Sequence, residues 1–115
     1  MKLTALAVLL VSIVPVAHAT VLRVENETGG WDIEEVYVTP AGSCDWGENL
    51  LESEIIADGT ASEFHMNPGV YDVMLVDEDG DMYEKFSLNI VLRHVWEVTL
   101  DDLTRYASGA VYSGG

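Results

Sequence analysis

VYDVMLVDEDGDMYEKFSLNIVL, residues 70–92, decides the fold. Asp79-Gly80 is a strong two-residue hairpin signal, because both positions tolerate the positive φ that a type I′ turn demands. A turn there makes paired residue numbers sum to 159, so Tyr71 faces Leu88 and Val73 faces Phe86. On the other face Asp72 then meets Ser87 and Met74 meets Lys85. Each strand's own alternation divides the faces in the same way. A one-residue slip would turn every side chain over, so the agreement fixes an expected register.

Outward from the hairpin, the segments are short, often alternate in polarity, and are parted by Gly, Pro, Asn and Asp clusters. A first strand is expected over Thr20 to Asn26, with Leu22 and Val24 on one face. A second runs from about Trp31 to Thr39. Its inward residues are Val36 and Val38, while Ile33 breaks the parity and predicts a bulge or a late start. Residues 43–59 read as a loop with one helical turn capped by Asp45 and held down by Trp46 and Leu50. Further strands are expected over Thr60 to Met66 and Val95 to Leu100. The expected core is Phe64, Tyr71, Val73, Leu75, Phe86, Leu88, Ile90 and Trp96.

This pattern predicts an all-β domain of six or seven strands, a small antiparallel β-sandwich of immunoglobulin-like or prealbumin-like kind. A small closed β-barrel is the alternative. One domain is expected over 20–103, with a loose tail over 104–115.

Residues 1–19 read as a secretory leader. Met1-Lys2 gives the positive start, Leu3 to Val16 the apolar run, and Ala17-His18-Ala19 the cleavage site. The run is too short for a spanning helix, which needs about 20 apolar residues. The expected product begins at Thr20 and is exported, to a periplasm or to the medium. Cys44 is the single cysteine outside and inside the leader, so no internal disulfide is expected.

The chain carries 5 Lys and Arg against 20 Asp and Glu, a formal charge of −15. Loss of Lys2 with the leader lowers it to −16. Such a surface repels phosphate backbones and anionic headgroups, which weighs against nucleic acid and membrane partners. A cationic partner, an unknown protein or a bound cation suits it better.

VYVTPAGSCDWGENLL, residues 36–51, and PGVYDVMLVDEDGDMY, residues 68–83, together resemble a small exported bacterial β-sandwich domain to which no activity is assigned. The shared features are a strand ending in Thr39-Pro40-Ala41-Gly42-Ser43, the Trp46-Gly47-Glu48-Asn49-Leu50-Leu51 loop, and the Gly69-Val70-Tyr71-Asp72 strand that runs into an acidic hairpin. The resemblance covers most of residues 32–102. It implies the fold and export, and it carries over no catalytic residue. Cys44 falls at a variable place in the pattern.

The densest acidic cluster is Asp77-Glu78-Asp79-Gly80-Asp81. Alternate carboxylates at Asp77, Asp79 and Asp81 can offer hard oxygen ligands to Ca²⁺, which takes six to eight. The EF-hand pattern fails in either register: Met82 or Leu75 falls where a Gly or Asp belongs. An acidic hairpin tip made of turn-favouring residues is the plain reading. His65 and His94 have no ligand spacing, and His65 should share the solvent side with Glu63. No Gly-x-Ser-x-Gly elbow is present, and no set of catalytic roles converges. Of the tryptophans, Trp46 and Trp96 are expected to be anchors, and Trp31 the exposed one. The reading is an exported non-catalytic binding or accessory module with no cofactor. The alternatives are a Ca²⁺-stabilised secreted domain and, more distantly, a small hydrolase or thiol-dependent enzyme.

Overall fold

The structure is a computed structural model that describes residues 20–112. The leader expected over 1–19 and the last three residues lie outside the described residues. Seven strands follow in chain order: β1 (Thr20–Asn26), β2 (Ile33–Pro40), β3 (Ala61–Met66), β4 (Gly69–Asp77), β5 (Met82–Ile90), β6 (Arg93–Val98) and β7 (Leu103–Arg105). A single turn of 3₁₀ helix, Leu100–Asp102, joins the last two. The strands form two open sheets, ordered β3-β1-β6 and β2-β4-β5-β7. The fold is a small β-sandwich, as the sequence predicts, and not a closed barrel.

β1 alternates buried and half-buried residues along its whole length. It pairs antiparallel with β3 and parallel with β6, so the first strand is the middle of its sheet. Leu22 and Val24 lie on the inner face in register with Phe64 of β3 and with His94 and Trp96 of β6. Across the sandwich they meet Val36, Val73, Leu75, Tyr83 and Ile90, all buried. Each such side chain contributes about 1.5–3 kcal/mol through burial. The exposed Arg23–Glu63 pair, at 3.8 Å, contributes at most about 1 kcal/mol. The core therefore carries the stability.

The hairpin follows the expected register over only half its length. Gly69↔Ile90, Val70↔Asn89 and Tyr71↔Leu88 match the expectation. Nearer the tip, Val73 pairs with Lys85, Met74 with Glu84 and Leu75 with Tyr83, one residue out of step. The turn is the cause. The Gly80 amide donates to the Asp77 carbonyl at 2.9 Å and the Asp77 amide to the Asp81 carbonyl at 3.0 Å. The loop is thus three residues, Glu78-Asp79-Gly80, with Gly80 at φ 81°, the left-handed position that closes such a turn.

The extra residue is absorbed by a bulge. Phe86 and Ser87 both oppose Asp72, with Ser87 at φ 54°. Before the bulge, Tyr83 and Lys85 point between the sheets; after it, Leu88 and Ile90 do. Phe86, expected in the core, is 60% exposed, and Tyr83 is buried in its place.

Other differences are local. The parity break in β2 is a register shift between Ile33 and Glu35, as expected. Residues 43–59 contain no helix. Leu51 and Ile56 hold this segment to the core, while Leu50 is exposed and Trp46 half-buried. The segment also seals the free edge of β2. Leu50 donates to the Val36 carbonyl, Asn49 accepts from the Val36 amide, and Ile56 exchanges both bonds with Ile33. Capping an edge in this way blocks pairing with another chain. The expected loose tail is held in place at its start: Thr104 and Arg105 belong to β7, and the Tyr112 amide donates back to Thr104.

Asp72 fixes the bulge. This buried carboxylate accepts from the Ser87 amide at 2.9 Å and from the Gly42 amide at 3.2 Å. Asp72→Ala should lower stability by about 2 kcal/mol, because it strands both donors. Urea denaturation measures it, and a loss under about 0.5 kcal/mol would show that the bulge holds without the carboxylate.

Candidate functional site

The three acids singled out in the sequence do come together. Asp77, Asp79 and Asp81 each offer a carboxylate oxygen within 4.8 Å of the others. Among the described residues, no other group of three or more His, Cys, Asp or Glu side chains converges in this way.

Most of these oxygens already have work in the fold. Asp77 ends β4 and is buried. Its Oδ1 accepts from the amides of Asp79 at 2.9 Å and Asp81 at 3.1 Å, and its Oδ2 accepts from the Tyr83 hydroxyl at 2.8 Å. Asp79 Oδ2 accepts from Trp31 Nε1 at 2.8 Å, and Asp81 Oδ1 from the Ala107 amide at 2.9 Å. Glu78 bonds both ways with the backbone of Asp32. The tip is thus a junction that binds the β1–β2 connection on one side and the tail on the other. Trp31, expected to be exposed, is half-buried there.

Burial pushes the Asp77 carboxyl above the ordinary Asp range. The hydrogen bonds from Tyr83, Asp79 and Asp81 work in the opposite direction, and the Asp81 charge adds to the rise. Tyr83 is raised further, through burial first and then its bond to Asp77. One oxygen each on Asp79 and Asp81 lacks a protein donor among the bonds that hold the tip.

Asp101 and Asp102 do not join the cluster. Asp102 accepts from Trp96 Nε1 at 3.1 Å and from the Thr99 amide at 3.0 Å, closing the cap of the 3₁₀ turn. His65 is exposed on β3, His94 is half-buried on the inner register of β6, and Cys44 is exposed in the loop after β2. The three lie on separate elements.

A second acidic feature went unread in the sequence. Glu34, Glu35, Asn49, Glu52, Ser53, Glu54 and Ile55 line an open groove of about 390 Å³ beside the sealed edge of β2. Glu35 accepts a short bond from the Tyr37 hydroxyl, and Glu35 is the main reason Tyr37 titrates above its ordinary range. Residues 34–35 and 52–54 are 17 or more positions apart, so only the return of the loop onto β2 joins them.

The chain matches no protein-family model and no curated protein. Among solved structures it is similar to an NMR structure of a protein from Eubacterium rectale. The TM-score is 0.55 at 17% identity, over 76% of this chain and 85% of that one. At that identity the likeness shows the fold alone.

The raised Tyr83 makes a pH prediction. The folded state holds the phenol neutral above its unfolded value of 10.0, so this stabilisation is complete below pH 10 and is lost as pH rises beyond it. Tyr83→Phe should flatten that alkaline limb. It should also cost about 1–2 kcal/mol at neutral pH by removing a donor from Asp77. An unchanged alkaline limb in denaturation curves from pH 8 to 11 would assign the effect to another group.

Proposed function

We propose that this chain is an exported, non-catalytic binding module of bacterial type that holds a cationic segment of another protein. The observation that carries the reading is the groove beside β2, where four carboxylates and Ile55 face one open space. A Lys or Arg side chain suits it, with its apolar stem on Ile55 and its charge among the glutamates. The −15 charge of the chain favours the same partner by long-range steering. The separate positions of His65, His94 and Cys44 support a non-catalytic role. Export rests on the leader pattern of residues 1–19.

Calorimetry and ¹⁵N NMR with an octa-lysine peptide test the groove. Saturable binding is expected, with shifts centred on residues 34–55. It should weaken about tenfold or more between low and 0.3 M salt, because exposed charges are screened. The Glu34→Gln/Glu54→Gln pair should weaken it severalfold. Shifts spread evenly over the acidic surface, with no saturation, would sink the reading.

A second reading, a Ca²⁺ site at the hairpin tip, is favoured by the convergence of Asp77, Asp79 and Asp81. Titration with CaCl₂ at about 0.15 M NaCl, where surface charges are already screened, should show one saturable site that Asp79→Asn removes. Absence of heat up to millimolar Ca²⁺ would leave the tip a structural junction.

A further inference from the structure

The other long side of the sandwich has a different character. β7 covers β5 only at Met82 and Tyr83. Among the described residues, Lys85–Ile90 pair with β4 on one side and with no strand on the other. That leaves about 20 Å of open edge, bent by the bulge at Phe86 and Ser87. β6 is the neighbouring edge of the other sheet, so the two open edges bound one seam. β2's free edge, by contrast, is sealed by its own loop. β3 and β6 also end their sheet uncovered, and any such edge is a template for an added strand; what singles out β5 is its chemistry.

The chemistry of the seam is also segregated. From Lys85 to Trp96, KFSLNIVLRHVW, twelve consecutive residues carry no Asp or Glu, in a chain that has 20. The same stretch holds exposed Val91 and Leu92 at the turn from β5 to β6, while Phe86, beside Trp46 at 6.2 Å, and Val95 lie on the outer faces of their sheets. It also holds Lys85, whose position the bulge determines. Lys85 turns toward the seam and places Nζ 4.7 Å from the centre of the buried Trp96 ring. Arg23, Arg93 and Arg105 each have a carboxylate within 3.9 Å; among the described residues Lys85 has none. His94 stands close enough that burial and the Lys85 charge hold its imidazole below the usual range, so it brings no competing positive charge at neutral pH.

We infer that the open edge of β5 takes up an extended segment of a partner protein as an added strand, apolar in its alternate residues and carrying one carboxylate that pairs with Lys85 in the seam. Backbone bonds to β5 would give affinity, and the carboxylate would set register. A second copy of this chain suits the edge less well, since two domains of such like charge repel. This surface is separate from the β2 groove and stands whether or not the groove binds.

Three octapeptides of alternating Val and Thr test it, with Glu, Gln or Lys at one central Val position, titrated into the ¹⁵N-labelled exported protein. The Glu peptide should bind saturably, with shifts centred on residues 84–96. The Gln peptide should bind about three- to tenfold more weakly and the Lys peptide weaker still, the range expected for one half-exposed charge pair. Lys85→Met should erase the difference between Glu and Gln; Lys85→Arg, which keeps the charge, should preserve it. N-methylation of alternate peptide amides should abolish binding. Equal binding of all three peptides, selectivity that survives Lys85→Met, shifts centred on the β2 groove, or no binding would each overturn the inference. So would concentration-dependent shifts at 84–96 without peptide, which would assign the edge to a second copy.

Discussion

The pairing of Asp72 with the Ser87 amide governs which side of β5 faces the core. The carboxylate is buried in β4 and fills the gap left where two residues oppose one. Without that acceptor, the left-handed Ser87 and its inward-turned amide would be doubly costly. With it, the strand changes phase in mid-course. Tyr83 reaches Asp77 beneath the tip, Lys85 reaches Trp96 in the seam, and Leu88 and Ile90 still fill the core. The acidic junction and the contact of Lys85 with Trp96 both follow from this one crossing.

The same carboxylate reaches the turn after β2 through Gly42. The loop that starts there returns along β2 and closes its edge. Asn26 does similar work at the tip end. Fully buried, its amide donates to the carbonyls of Trp31 and Ile56, while its oxygen accepts from the amide and hydroxyl of Thr28. Buried polar side chains thus act as local templates for the connections, while the apolar core joins the sheets. The satisfied state of these groups explains how a small core can hold long irregular loops.

Strand content, the span of β1, the parity break in β2 and the far half of the hairpin were legible in the sequence. Alternation of small apolar and polar residues is a local property, and it survives folding. The near half was not legible, because Asp-Gly supports two loop lengths and the choice depends on what the neighbouring Asp77 caps. An Asp two residues before the favoured turn pair was the available signal. Phe86 misled because a large aromatic in an alternating strand reads as core, and a bulge leaves no mark in composition. The acidic tip was legible, since its members are adjacent. The β2 groove was not, since it depends on a loop closing on a strand. The acid-free window from Lys85 to Trp96 was visible in the sequence, but it had no meaning until β7 proved to stop short.

β1 has a position with a kinetic consequence. It lies between β3 and β6, and its parallel partner is separated from it by nearly the whole described chain. That sheet therefore cannot assemble from the N-terminus as the polypeptide emerges. The first strand must wait for almost the last one before it gains its second neighbour. Contacts between such distant segments form slowly, because the intervening chain must first be ordered. If the chain crosses a membrane in extended form, as proposed, this delay would keep the sandwich from closing before its C-terminal third had arrived on the far side.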